Sequence, residues 1–185
     1  EPRLGRNRIR WQGPGSSLMQ TQMTIEDLLA TRAIERQLFN YCRGLDRMDK
    51  PLSRSVWHAD GTAHYYDMFE GTADGFIAWV WEAHAAMERH SHQLSNPLLE
   101  VEGESARSEC YVTVALWTLA DAQGEQQEIV GRGRYLDRWS CRNGVWAIDH
   151  REHVLDMQTI HRLEKGPVNT ESRRDAEDPS YSVLA

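Results

Sequence analysis

The sequence predicts an α+β domain, with helices first and a long, mainly antiparallel sheet after them. Three observations carry this reading. Apolar residues recur at three- and four-residue steps over 24–49 and again over 72–89. Alternating, β-rich segments follow from His92. Arg142-Asn143-Gly144 separates the last two of them as a tight turn.

Residues 1–22 are rich in Arg, Gly, Pro and Ser and lack any period that could bury a face, so they read as an arm outside the fold. The folded domain is expected over 23–158. Thr24 and Asp27 have the spacing of a capping box, and Ile25, Leu28, Leu29, Ile34, Leu38, Tyr41, Cys42 and Leu45 continue from it as one amphipathic helix. Lys50-Pro51 ends that helix near 46–49, and a short helical turn is expected over Leu52–Val56. Tyr65 and Tyr66 favour a first strand over Ala63–Met68. A second helix, Thr72–Arg89, carries Phe76, Ile77, Trp79, Val80, Ala83 and Met87, with Asp74 at its electropositive end. Four strands then follow, over Leu98–Val101, Ala106–Leu119, Gln127–Trp139 and Val145–Leu155. Asn143-Gly144 accepts the positive φ angles of a type I′ turn, which makes the last pair an antiparallel hairpin. Residues 159–185 form a polar tail, expected to pack on the surface or on a partner.

With 185 residues, 40% hydrophobic and 26% charged, the chain fits one ordinary globular core. A net charge of −7 without a Lys/Arg-rich stripe argues against nucleic acid as a partner, since phosphate tracking needs such a stripe. The longest apolar run, Val112–Ala120, is far short of the roughly 20 residues of a membrane helix. Arg3, Arg6, Arg8 and Arg10 are followed by no apolar leader segment, so a cytoplasmic location is the default expectation. Cys42, Cys110 and Cys141 are too few and too irregular for a disulfide framework or zinc knuckle, and read as structural thiols.

No phosphate loop, no nucleophile elbow and no helical His-x-x-x-His is present, so no cofactor and no metal are expected. His150, His153 and His161 are too irregularly spaced to make a metal set. Arg132 and Arg134 alternate on one strand and must share a face, either solvent or a cavity where they would bind a substrate oxygen. Trp79, Trp81, Trp117, Trp139 and Trp146 supply flat surface for a core or an aromatic ligand.

YCRGLDRMD at Tyr41–Asp49 resembles the Tyr-x-x-x-x-Asp motif of the SnoaL-like lyases, in the nuclear-transport-factor-2-like superfamily. HSHQLSNPLLEVEGESARSECYV from His90 to Val112 resembles the family's His-x-x-x-Asn segment, and GRYLDRWSCRNGVWAIDHREHVLD from Gly133 to Asp156 resembles its closing hairpin. The group includes bile-acid 7α-dehydratase and hexachlorocyclohexane dehydrochlorinase, and the likeness extends to lignin-catabolic γ-formaldehyde lyases. It implies a cone-shaped, curved sheet covered by the N-terminal helices. It also implies a catalytic dyad: Asp46 orients His92, His92 abstracts a proton, and Tyr41 bonds a substrate oxygen. The chemistry needs both types, because a carboxylate on one ring nitrogen fixes the tautomer and stabilises the imidazolium formed at the other. Asn96 marks the family segment and is expected, with Arg132 and Arg134, to bind substrate; its distance favours His92 over His90, two positions away on the same strand face.

The resemblance thus implies a lyase that eliminates water, halide or formaldehyde from a small, apolar or aromatic substrate. An isomerase, cyclase or epoxide hydrolase on the same fold would need a second buried carboxylate near a tyrosine. A non-catalytic ligand-binding protein, or the β-subunit of a ring-hydroxylating oxygenase, is the third reading. A homodimer or homotrimer is expected, because the outer sheet face must be covered or made polar.

Overall fold

A computed structural model describes residues 23–163 and 171–184. The arm at 1–22 lies outside the described residues. Helix α1 (Ile25–Asp46) opens with the expected capping box, Thr24 accepting from the Asp27 N–H and Asp27 accepting from the Thr24 N–H. Its buried stripe is Ala30, Ile34, Leu38, Tyr41, Cys42 and Leu45, whereas Ile25, Leu28 and Leu29 in the first turns stay exposed. Helix α2 (Lys50–Ser55) follows at once, capped by Asp49. Strand β1 (Trp57–Tyr65) begins earlier than expected and stops at Tyr66, whose φ of 48° turns the chain into the short β2 (Phe69–Thr72).

Helix α3 (Ala73–Ala85) is capped by Thr72 and ends four residues before the expected Arg89. Met87–His90 would fit a helix by composition, yet Met87 pairs with Thr118 and His90 with Leu116. Sheet pairing wins, and β3 runs from Met87 to Glu102. Strands β4 (Ser105–Thr118), β5 (Gln127–Arg142) and β6 (Val145–Arg162) complete the sheet. The β5–β6 turn has the expected geometry, with φ of 54° at Asn143 and 78° at Gly144. Strand β6 extends past the expected end of the domain at 158, and the short helix α4 (Ser180–Val183) lies in the C-terminal segment.

The six strands lie in the order β2-β1-β6-β5-β4-β3, all antiparallel neighbours except β1 and β6, which run parallel. The fold is thus the expected α+β, mainly antiparallel sheet with N-terminal helices packed on it, curved and unclosed. Gly61 lets β1 approach β6, because a Cβ there would lie 2.9 Å from the Ile148 carbonyl oxygen. Between helices and sheet sit Ile34, Leu38, Tyr41, Leu45, Phe76, Ile77, Trp139 and Ile148, each at most 2% exposed. Among the described residues no helix is long and apolar enough to cross a membrane.

Candidate active site

Asp46 is the last residue of α1, and its position depends on a close helix crossing. A Cβ on Gly44 would lie 2.4 Å from Ser53 Oγ and 2.7 Å from the Ser53 backbone nitrogen, so glycine alone lets α2 pack there. On β3, His90 and His92 share a face toward this helix end, as strand alternation requires. The two separate cleanly. His90 Nε2–H donates to the Leu45 carbonyl at 2.7 Å, while His92 turns to Asp46. Asp46 Oδ1 lies 2.7 Å from His92 Nδ1, and Oδ2 accepts the His92 backbone N–H at 3.0 Å. With both carboxylate oxygens acting as acceptors, Nδ1 carries a proton, so the nitrogen free to take one from a ligand is Nε2. The His92 side chain is 4% exposed and that of Asp46 14%.

His92 forms part of the wall of a cavity of about 150 Å³ between helices and sheet. Val112, Val114, Leu116 and Ile129 make one apolar wall, Trp79 and Val80 the other, and Gly131 and Gly133 withdraw side chains from its middle. Tyr41, Tyr65, Tyr135 and His153 bring in polar atoms. The Tyr41 and Tyr65 hydroxyls lie 3.0 Å apart. Burial pushes the pKa of all three phenols above the ordinary tyrosine value, so they are hydrogen-bond donors and not bases.

Behind the tyrosines lies Arg151, fully buried and held by a bidentate ion pair to Asp137 at 2.7 and 2.8 Å. Its guanidinium carbon stands 3.9 Å from the Tyr135 ring centroid and 4.4 Å from that of Tyr41. One of its nitrogens, Nη1, has no hydrogen-bond partner. This fixed cation opposes the effect of burial on the tyrosines and favours negative charge on any oxygen they bind.

Three further histidines are held neutral. Burial pushes His84, which lines the cavity, down to about 2 and His90 to about 4. His153 is lowered to about 4 by burial and then by the Arg151 charge. The C-terminal segment braces both sides of the dyad. Arg174 donates to the carbonyls of His84, Met87 and Glu88, Asp178 pairs with Arg47 at 3.0 Å, and Tyr181 donates to Asp49.

His92 and Tyr41 therefore line one cavity, with Asp46 bound to His92 behind its wall, but the other expected residues do not line it. Arg134 lies on the opposite sheet face, bound to Asp156 and Glu109, because Gly131, Gly133 and Tyr135 take the cavity-facing positions between. Arg132 is exposed beside it. Asn96 is exposed with φ of 50° at a bulge of β3 and does not line the cavity. His150 bonds Thr62 on the outer face, away from His153, so these two cannot share a metal. Among the described residues, no three His, Cys, Asp or Glu side chains converge as a metal set. The residues missed were Tyr65, Tyr135, Asp137, Arg151 and His153. The alternation Tyr135-x-Asp137 against Arg151-x-His153 on paired strands was the available signal.

The family profile of the SnoaL-like domain matches residues 26–152, from α1 to the middle of β6. The chain belongs to the SnoaL-like domain family. Solved structures similar to this SnoaL-like chain include a Type2 hexachlorocyclohexane dehydrochlorinase (LinA), with TM-score 0.69 and 19% identity over 80% of this chain and 100% of that one. A proposed scytalone dehydratase from Novosphingobium aromaticivorans DSM 12444 has TM-score 0.65 and 22% identity over 78% and 96%. The LinA-type3 dehydrochlorinase from Novosphingobium barchaimii LL02 has TM-score 0.63 and 18% identity over 80% and 99%. At these identities the likeness is one of SnoaL-like fold. No curated protein matches the sequence significantly.

Proposed function

We propose that this SnoaL-like chain is a lyase that needs no cofactor and acts by general-base elimination on a small, ring-containing substrate. The observation that carries the reading is the double acceptance by Asp46 from His92 at the wall of a mostly apolar cavity. His92 Nε2 takes a substrate proton. The electron pair of the broken bond forms the new π bond, and the leaving group departs with its own bonding pair, as halide or, with the proton returned to it from His92, as water. Tyr41 and Tyr65 hold the oxygen on which charge develops, with Arg151 stabilising that charge from behind in the place considered for Arg132 or Arg134. For formaldehyde loss the same base works on a hydroxymethyl O–H, and the released C–C pair expels a benzylic hydroxyl as water.

The isomerase reading calls for a second buried carboxylate near a tyrosine in the pocket. Asp137 is buried two residues from Tyr135, but it does not line the cavity and both its oxygens are committed to Arg151. A homodimer or homotrimer goes with the lyase reading, and sedimentation at micromolar concentration tests it. For the chemistry, purified protein is incubated with single-ring substrates bearing a β-halide, a β-hydroxyl, or a hydroxymethyl group next to a benzylic carbinol, and chloride, new conjugation and formaldehyde are monitored. Release by the wild type but not by His92→Ala supports the reading. Equal release by both, or by neither, overturns it.

A further inference from the structure

We propose that His153 is a second ligand-binding histidine of this cavity, whose ring hydrogen-bonds an oxygen substituent of a ring-sized ligand while His92 acts on the proton. The inference rests on the cavity being the substrate site. His153 lines it from β6, on the strand next to β5 and two residues beyond Arg151. Its ring is fixed by aromatic contacts, 4.8 Å from the Tyr65 centroid at 26° and 5.6 Å from that of Tyr135 at 53°.

A purely structural ring would not need to be histidine. Phenylalanine would stack on the two tyrosines equally well, whereas His153 Nδ1 is buried without a hydrogen-bond partner. Leaving such an atom unsatisfied is unfavourable, and the ring that carries it lines the cavity, where a small turn brings it to a ligand oxygen. Room has been left for the imidazole: a Cβ on Gly133 would come within 3.1 Å of His153 Nε2 and 2.2 Å of the Val154 carbonyl oxygen. Burial and the Arg151 charge keep the ring neutral at pH 7, so it offers one N–H donor and one lone pair and does not compete with His92 as base. A cavity of about 150 Å³ takes a single aromatic ring. The ligand class is therefore a single ring carrying a hydroxyl or carbonyl within reach of β6.

The test uses toluene and phenol as probes on ¹⁵N-histidine-labelled full-length protein, with imidazole nitrogen shifts followed by NMR. Both probes are expected to bind, and phenol alone to move a His153 nitrogen resonance. In His153→Phe, which keeps the stacking, toluene affinity is retained and the preference for phenol falls by about tenfold, roughly one hydrogen bond. If both probes bind but phenol leaves the His153 nitrogens unmoved, or if neither binds, the proposal is overturned; the wild-type spectra decide this even if the variant does not fold. Because binding is read without turnover, loss of the elimination reading would leave this result standing, and the reverse also holds.

Discussion

Both carboxylate oxygens of Asp46 are bound by one residue, His92, through its ring at 2.7 Å and its backbone N–H at 3.0 Å. An amide cannot replace this arrangement. In Asp46→Asn one of the two His92 donors must face an NH₂ group, and if that donor is the ring, the tautomer reverses and Nε2 gains the proton it should accept. We expect His92→Ala to lower kcat by about 10²- to 10⁴-fold, and Asp46→Asn to approach it without loss of fold. Steady-state kinetics with circular dichroism on each variant checks this; near-wild-type kcat in Asp46→Asn would count against the dyad.

Arg151 and Asp137 form a pair with 0% side-chain exposure on both sides. Removing one partner leaves a bare charge inside the core, at a cost of about 3–5 kcal/mol. Arg151→Met and Asp137→Leu are each expected to lower the denaturation midpoint sharply, and the double variant to recover part of the loss. Additive losses in a double-mutant cycle would show that the pair is not coupled.

Gly131 lines the cavity, and a Cβ there meets only Leu155 Cδ1, at an ordinary 3.7 Å. Gly131→Val therefore adds bulk inside the binding space without touching the dyad. The expected result is a raised KM, or loss of binding for the larger ring substrates, with little change in Tm. A fall in Tm with unaltered binding would place this residue outside the working cavity.

Acid should unfold the protein early. His84, His90 and His153 have folded-state pKa values of about 2, 4 and 4, below the roughly 6.5 of a free imidazole. From pH 6.5 downward the unfolded chain takes up protons that the folded chain refuses, so the stabilisation is complete above 6.5 and lost as pH falls toward 4 and below. For His90 the effect is roughly 3 kcal/mol. Calorimetry between pH 7.5 and 4 should show Tm falling from above pH 6, with a shallower fall in His153→Phe; a flat profile down to pH 5 would contradict the burial of these rings.

The local features were legible because their causes are local. Thr24 with Asp27 capped α1 and Asn143-Gly144 made the hairpin, whereas the contact of Asp46 with His92, 46 positions away, was legible only through the resemblance. What escaped depended on distant pairing. Strand alternation put Arg132 and Arg134 on one face but could not say which, and the answer lay in the glycines flanking Arg132, Gly131 and Gly133. Arg151 reads as a surface charge until Asp137 is known to lie opposite it on β5. Met87–His90 suits a helix until β4 is available to pair with it. Nothing near Trp57 announces that its strand will run parallel to β6, whose paired residue there is Ile148.

That parallel pairing sets an order of events on the ribosome. β6 is the last strand of the sheet to be synthesised, yet it lies inside it, between β1 and β5. Until Val145–Arg162 has emerged, β1 and β2 have no third strand to join. Pairings so far apart in sequence form slowly, and the waiting half exposes unpaired strand edges. A nascent chain stalled before Val145 should accordingly be open to protease and a client for chaperones, and the cavity between α1 and β6 can take shape only after translation has passed its far wall.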